Sequence, residues 1–199
     1  MPRTKQRTPE LRQHVLSVAL ELLASDGVAA FTTRNVARQS ETSPPAIYEL
    51  FGDKSGLVRE VFFQGFRMLR RHLGDVPQTD DPRADLLALM TLYRSFVRQN
   101  PVLCEVMFSR PFTDFAPSGS ELNASGSVRT LILAHVRRCI QAGLLHGEET
   151  DIAHVLIALA QGLAAAENTR RLGSSRASVD RRWALAVEAM LHGLSSQVA

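Results

Sequence analysis

Hydroxyl and amine side chains stand at the starts of three successive helices that the sequence predicts. Thr32 and Thr33 begin the first of them, Ser43 begins the next, and Lys54 lies in the first turn of the third. The first backbone N–H groups of a helix have no partner within it, and the helix dipole favours negative charge there. A phosphate group meets both conditions, so three such helix starts could hold one sugar-phosphate backbone.

The residues around these positions predict two short helices close together. Phe31 precedes Thr32 and Val36 follows it by four positions, which is the spacing of a hydrophobic staple. Pro44 occupies the first position of the next helix, where its missing N–H costs nothing, and Gly52 ends that helix. Two short helices joined by a tight turn, with a supporting helix before them, describe a helix-turn-helix, whose second helix enters the major groove of DNA.

This part of the chain resembles the TetR family of transcription regulators over about residues 9–69. The resemblance rests on a Thr-capped helix with a Val-Ala pair, a Ser-capped helix with an Ile-Tyr pair, and Phe, Lys and Leu after it. These positions are Thr32, Val36, Ala37, Ser43, Ile47, Tyr48, Phe51, Lys54 and Leu57.

The resemblance implies that residues 32–51 form the DNA-reading unit. Phosphate contacts are expected from Thr32, Thr33, Tyr48 and Lys54. The residues expected near the groove are Arg34, Ser43, Pro44, Pro45 and Ala46.

Three residues depart from the family pattern. Glu41 stands in the turn where the family usually has Gly, and a left-handed conformation costs a residue other than Gly about 1–2 kcal/mol. Glu49 adds a second negative charge, and Leu50 replaces the common His or Tyr. An alternative hypothesis is therefore a ligand-binding helical protein whose helix-turn-helix does not bind DNA.

Helical periodicity runs through the rest of the chain, which predicts an all-α fold. The expected parts are a basic arm over 1–8, a three-helix DNA-binding domain over 9–69, and a helical ligand-binding and dimerisation domain over 70–199. Arg3, Lys5 and Arg7 give the arm its charge. The arm is either a solvated tail or a segment that enters the minor groove of DNA.

The resemblance implies a homodimer formed through the last two helices. The penultimate helix carries small and apolar residues at helical spacing, and the last helix is broadly apolar, which is more apolar surface than one stripe requires. The residues on which this expectation depends are Ala153, Ile157, Ala160 and Ala164 in the first of these helices, and Trp183, Val187, Met190, Leu191 and Leu194 in the second.

A pocket for a small, apolar effector is also expected, because the second half contains aromatic and Met side chains at helical spacing. Plain core packing is the alternative at each of these positions. The candidate lining residues are Phe62, Phe66, Met90, Tyr93, Phe96, Leu103, Met107 and Phe108. Phe112 and Phe115, in the segment 109–120, could form a lid over such a pocket.

Other classes of function find no support in the sequence. Cys104 and Cys139 do not have the CxxC spacing of a metal-binding or redox pair, and the six histidines do not have the spacing of metal ligands. No phosphate-binding loop or nucleophile motif occurs. No apolar run approaches the roughly 18 residues that a membrane span needs. The sequence thus predicts a cytoplasmic protein with no catalytic residues, metal, cofactor or membrane partner. Its expected partners are a double-stranded DNA operator, a second copy of the chain and an unidentified effector.

Overall fold

A computed structural model describes residues 8–109, 112, 115 and 119–195 of the 199-residue chain. The described residues form nine α-helices and no strand, which confirms the all-α prediction. The helices are α1 (Pro9–Ala30), α2 (Thr33–Gln39), α3 (Pro44–Phe51), α4 (Lys54–Leu73), α5 (Pro82–Gln99), α6 (Pro101–Phe108), α7 (Gly119–Gln141), α8 (Glu149–Asn168) and α9 (Arg176–Ser195). The expected basic arm over 1–8 lies outside the described residues except for Thr8. Within the described ranges no helix is both long and apolar enough to cross a membrane.

The helices group into two compact units. The first contains the chain up to Arg67 together with Asn100–Ala124, and the second contains Met68–Gln99 and Ser125 onward. Helix α6 therefore belongs with the helix-turn-helix, although the sequence places it after the expected boundary at residue 69. The reason is packing, because α6 lies on α1 and the Met107 side chain lies against Gly65.

The first helix shows how local signals define the elements of the first unit. Thr8 caps α1, since its side chain accepts a hydrogen bond of 3.2 Å from the N–H of Leu11. Gly27 has φ +76°, so the regular helix breaks at the expected residue. One further turn follows to Ala30, and the Phe31 N–H closes it on the Val28 carbonyl at 3.1 Å.

The second unit is held by a charged contact among three helices. Arg94 of α5 donates two hydrogen bonds to Glu167 of α8, at 2.8 and 3.0 Å, and one of 2.7 Å to Asp180 of α9. Its guanidinium also lies over the ring of Trp183, 5.1 Å from the centroid. Hydrogen bonding to Glu167 is the largest cause of the raised Arg94 pKa. Removing this side chain would leave the mostly buried Glu167 carboxylate with only its longer ion pair to Arg98, at 3.6 Å, and loss of a partner from a buried carboxylate is usually costly.

A second charged cluster fixes the start of α5. Asp85 is 3% exposed and accepts hydrogen bonds from the Thr79 N–H at 2.9 Å, the Thr79 hydroxyl at 2.8 Å and the Arg138 guanidinium at 2.5 Å. Burial alone would raise the pKa of the Asp85 carboxyl, but the hydrogen bonds from Arg138 and Thr79 outweigh it and lower that pKa. The neighbouring His135 is also buried, and burial lowers its pKa, so its ring stays neutral.

Both cysteines are free and buried. Burial raises the pKa of the Cys104 thiol to about 12, so this thiol is protonated at neutral pH and poorly reactive. Within the described residues no group of three or more His, Cys, Asp or Glu side chains is arranged to hold a metal ion.

The Asp85 cluster should make the protein sensitive to acid. Its carboxyl pKa is lower in the folded than in the unfolded chain, so its contribution to stability is complete above the unfolded value near 4 and is lost as pH falls below it. Asp85→Asn should unfold at lower urea concentration at pH 7, and its urea midpoint should depend less on pH between about 5 and 3. The matched control is Asp75→Asn, which changes an exposed residue. Equal pH dependence in wild type and Asp85→Asn would contradict this assignment.

Candidate nucleic-acid interface

The start of α2 has the geometry expected for an anion-binding helix end. Thr32 is extended, with φ −126° and ψ 150°, and its hydroxyl accepts a hydrogen bond of 3.1 Å from the Asn35 N–H. Phe31 and Val36 are buried on the inner side, as the staple spacing predicts. Thr32 and Arg34 are exposed on the outer side, and Thr33 is partly exposed. The core contacts of α2 therefore leave its first turn open to solvent.

Helix α3 has a buried face and an exposed face. Ser43 caps its start by accepting a hydrogen bond of 3.4 Å from the Ala46 N–H, and Ile47 is fully buried. Pro44 and Pro45 are exposed, and so is the large side chain of Tyr48, of which 48% is open to solvent. The face that carries these residues is the one expected to meet a DNA groove.

One polar contact joins the exposed parts of α2 and α3. The Thr33 hydroxyl lies 3.4 Å from the Tyr48 hydroxyl, which is within hydrogen-bond distance. The structure thus brings together two residues that the family resemblance places on DNA phosphates. A single phosphate could accept hydrogen bonds from both hydroxyls, because each O–H can rotate toward it.

The turn between α2 and α3 keeps the geometry that Gly would give, although Glu41 occupies it. Glu41 is left-handed, with φ 51°. The Thr42 N–H donates to the Ala37 carbonyl at 2.9 Å, and the Glu41 N–H donates to the Arg38 carbonyl at 3.3 Å. This pair of bonds is the Schellman motif that commonly ends helices. The departure from the family pattern therefore adds backbone strain and a negative charge without changing the path of the turn.

The start of α4 depends on a glycine that the sequence analysis did not single out. The Asp53 carboxylate accepts a hydrogen bond of 2.7 Å from the Gly56 N–H and so caps α4. A Cβ atom on Gly56 would lie 1.8 Å from the Phe51 carbonyl oxygen, which is a severe clash. Only Gly lets the first turn of α4 approach the end of α3 this closely. Lys54, the fourth expected phosphate ligand, stands in this turn with its ammonium 5.2 Å from the Phe112 ring centroid.

Arg12 has an internal role that its charge did not indicate. It donates a hydrogen bond of 3.3 Å to the Leu50 carbonyl, forms an ion pair of 2.7 Å with Glu60, and lies over the Phe51 ring. These contacts tie α1 to the end of α3 and to α4. One of the cations that make the N-terminal part basic therefore holds the three-helix arrangement together. Only a long-range contact reveals this role, so no local spacing could have predicted it.

The residues predicted to line an effector pocket fall into both compact units. The first unit holds five of them, and the second unit holds three, all three buried. Those in the first unit are Phe62, Phe66, Leu103, Met107 and Phe108, and those in the second are Met90, Tyr93 and Phe96. The effector pocket stays a prediction.

An aromatic cluster forms in the first unit. Phe62 lies 4.9 Å from Phe66 and 5.6 Å from Phe115, and Phe66 lies 5.8 Å from Phe108, all measured between ring centroids. Phe112 and Phe115, proposed as lid residues, are both buried in this unit. In the first unit these rings pack against one another, which is the arrangement that plain core packing predicts.

The second unit contains a cavity of about 430 Å³ that the sequence analysis did not predict. Its apolar wall comes from α5, the turn after α7, and α9, and charged or polar side chains complete it. The apolar residues include Leu86, Leu144, Leu145 and Leu191, and the polar ones include Arg83, Glu188, His192 and Ser195. Arg83 and Glu188 form an ion pair with each other. None of these residues was among the predicted pocket positions, because α5 and α9 are far apart in the sequence.

The fold and the exposed faces of α2 and α3 define a helix-turn-helix DNA-binding protein. Residues 15–61 match the family described as bacterial regulatory proteins, tetR family, and residues 86–196 match the tetracyclin repressor-like C-terminal domain. The chain therefore belongs to the TetR family of DNA-binding transcription regulators. This confirms the resemblance identified in the sequence, and proteins of this family are transcription factors rather than enzymes.

One relative is similar in sequence over part of the chain, and two solved structures have a similar fold. The HTH-type transcriptional regulator AcrR of Shigella flexneri is 40% identical over 60 residues, which is 30% of this chain and 28% of that protein. A protein of unknown function from Rhodococcus sp. RHA1 has a similar structure, with TM-score 0.81, 25% identity, and coverage of 98% of this chain and 100% of that one. A tetR-family regulatory protein from Rhodococcus RHA1 has TM-score 0.70 and 20% identity, over 94% of this chain and 98% of that one.

Glycine at position 41 should stabilise the protein. The change Glu41→Gly removes the cost of a left-handed side chain, so the free energy of unfolding should rise by about 1 kcal/mol. Glu41→Gln is the matched control, because it removes the charge and keeps the strained backbone. Urea denaturation of the three proteins measures the difference. If Gln stabilises as much as Gly, charge rather than backbone strain determines the stability at this position.

Proposed function

We propose that the chain is a homodimeric repressor that acts in the cytoplasm. It binds a double-stranded DNA operator through α2, α3 and the start of α4, and it leaves the operator when a small effector binds. The observation that carries this proposal is the contact between the Thr33 and Tyr48 hydroxyls. That contact supports the proposal, because it brings two hydroxyl groups together on the exposed side of the helix-turn-helix, where one phosphate could accept from both.

The proposed interface divides into phosphate and base contacts. Thr32, Thr33, Tyr48 and Lys54 position the protein on the DNA backbone. Thr32, Thr33 and Lys54 carry hydroxyls or a cation at helix starts, and Tyr48 places its hydroxyl beside that of Thr33. The residues that face the groove edges are Arg34, Ser43, Pro44, Pro45 and Ala46. Except for Ala46, which is partly exposed, these side chains are open to solvent, so they reach a groove without rearrangement of the core.

The proposed dimer uses faces of α8 and α9 that no part of the described chain covers. Leu185 of α9 is 69% exposed and Val155 of α8 is 43% exposed, both unusual for large apolar side chains. Ala158, Gly162 and Ala165 are exposed on α8 as well. These small residues would let the backbones of two copies approach closely, and an added Cβ on Gly162 would meet nothing in its own chain.

This face is made by residues other than those on which the sequence analysis relied. Three of the latter, Ile157, Met190 and Leu194, are partly exposed and stay candidates for the contact. The other six are buried within the protomer: Ala153, Ala160, Ala164, Trp183, Val187 and Leu191. Their regular spacing marks the side of each helix that packs on its own chain, which is the usual meaning of an apolar stripe. The residues proposed to contact a second copy lie beside that stripe.

Effector control is proposed from the two-unit architecture. An effector that prefers the form unable to bind DNA lowers operator affinity by its differential binding free energy, typically about 1–3 kcal/mol. The cavity of about 430 Å³ in the second unit supports the proposal, because its size is within the usual range of ligand pockets. The predicted lining residues Met90, Tyr93 and Phe96 of the same unit stay candidates for a separate apolar site.

Removal of one hydroxyl should weaken operator binding. Tyr48→Phe keeps the ring but removes the O–H that lies beside Thr33, so the dissociation constant should rise by about three- to tenfold, as expected when one or two hydrogen bonds per dimer are removed. Fluorescence anisotropy measures binding to the DNA upstream of the chain's own coding sequence, with a scrambled duplex for comparison.

Tyr93→Phe is the matched control for this experiment, because it removes the same atom from a buried residue of the second unit. Its affinity should stay within twofold of wild type. An unchanged dissociation constant for Tyr48→Phe would contradict the proposed contact between the Tyr48 hydroxyl and a DNA phosphate. Wild-type protein that shows no preference among this DNA, the scrambled duplex and a genomic fragment pool would favour the ligand-binding protein without DNA competence.

A charge on the proposed dimer face should separate the protomers. Leu185→Glu puts a carboxylate on a side chain that is 69% exposed, so the protomer fold should tolerate it while association weakens. Sedimentation analysis over a concentration series should show more monomer than wild type. Thr130→Glu, an exposed change on α7, is the control and should leave the mass unchanged. If Leu185→Glu has the same mass as wild type at every concentration, the dimer contact does not lie on this face.

A further inference from the structure

Phe112 belongs to the segment after α6, yet it contacts two parts of the helix-turn-helix domain. Its ring centroid lies 5.4 Å from that of Phe31, and the Lys54 ammonium lies 5.2 Å from the same Phe112 centroid. The Phe112 side chain is 7% exposed. One buried ring therefore touches the residue before the Thr32 cap and the first residue of α4.

The contact with Lys54 is of a kind that orients an ammonium group. The face of an aromatic ring attracts a cation within about 6 Å of its centroid. The ring lies on one side of the ammonium group, which has three N–H donors, so donors on the other side remain able to reach a phosphate. A lysine side chain otherwise samples many rotamers, and binding removes that freedom. A ring against Lys54 reduces this entropic cost by holding the side chain before DNA arrives.

One residue on each side of Phe112, Met107 and Phe115, also packs on α4 of the first unit. Phe115 lies 5.6 Å from Phe62 of α4, and Met107 of α6 packs so closely on Gly65 that a Cβ there would lie 2.6 Å from the Met107 sulfur. A conservative change at Phe112 therefore leaves these anchors in place. The effect of such a change on DNA binding can be separated from loss of the fold.

We propose that Phe112 is a positioning residue for DNA binding, which holds the Lys54 ammonium and the start of α2 in the arrangement that meets the DNA backbone. The proposal rests on the proposed operator binding by Lys54. It adds a residue outside the helix-turn-helix sequence to the phosphate-binding apparatus. Phe112 is buried, so it does not touch the DNA itself. Its effect passes through Lys54 and through Phe31.

The experiment compares Phe112→Leu with Phe115→Leu. Both changes keep an apolar side chain and remove an aromatic ring from the same segment, but only the first ring faces Lys54. Operator affinity is measured by anisotropy over a salt series, and thermal unfolding confirms that both variants fold. Phe112→Leu should bind about three- to tenfold more weakly at low salt, and its log–log salt slope should fall by up to about 0.9 for each phosphate that the variant no longer neutralises. Phe112→Tyr, which restores an aromatic face, should recover wild-type affinity.

A second pair of variants tests whether the effect passes through Lys54. Lys54→Ala should weaken binding, and adding Phe112→Leu to it should weaken binding by a smaller factor than Phe112→Leu does in the wild-type protein, because the cation that the ring holds is already gone. Effects of the two changes that multiply would overturn the proposal. Equal binding by Phe112→Leu and Phe115→Leu would overturn it as well.

An experiment without DNA distinguishes failure of this proposal from failure of operator binding. In nuclear magnetic resonance spectra, the Lys54 side-chain protons should show a ring-current shift that Phe112→Leu removes and Phe115→Leu keeps. If the shift is present but wild type binds no operator, the ring contact exists, and the proposed roles of Lys54 and Phe112 in DNA binding are both wrong. If wild type binds the operator and Phe112→Leu changes neither the shift nor the affinity, operator binding stands and the positioning role is overturned.

Discussion

Every helix of the first unit begins with backbone N–H groups that have no partner inside the helix, and the DNA-binding surface depends on how those groups are satisfied. Thr8, Thr32, Ser43 and Asp53 each accept one such N–H from the residue three positions later. One side chain satisfies one donor and leaves the others in the first turn available. The chemistry that allows these short helices to begin is thus also the chemistry that attracts a phosphate. Thr32 is the clearest case, because it caps α2 and is also one of the proposed phosphate ligands.

The second unit has caps of the same kind at Asp81, Glu148 and Ser175, and it adds buried charged contacts to them. Arg94 connects α5 with α8 and α9, and Asp85 connects the start of α5 with α7 through Arg138. Buried ion pairs contribute little net stability compared with apolar packing, but they penalise any arrangement in which the partners separate. Such contacts favour a small number of discrete arrangements over continuous deformation. The proposed effector control requires two such arrangements of the second unit and would benefit from this property.

Local spacing predicted the parts of the structure that local chemistry determines. The caps at Thr32 and Ser43 and the end of α3 at Gly52 all depend on residues within a few positions of each other. The same approach could not choose which side of α8 is buried in its own chain, because Ala160 and Ala158 have the same residue type and differ only in what packs against them. It also missed the contacts of Arg12 and Phe112, which join residues distant in sequence. The cavity in the second unit was missed for the same reason.

The close approach at Gly56 has a consequence for how motion could pass through the first unit. The carbonyl of Phe51 occupies the place that any side chain at residue 56 would need, so the last turn of α3 and the first turn of α4 touch backbone to backbone. No flexible side chain lies between them at this point to absorb a displacement. A rotation at the start of α4 would therefore carry the DNA-reading helix with it as a single lever, and its angle in the groove would change without any change in α3 itself.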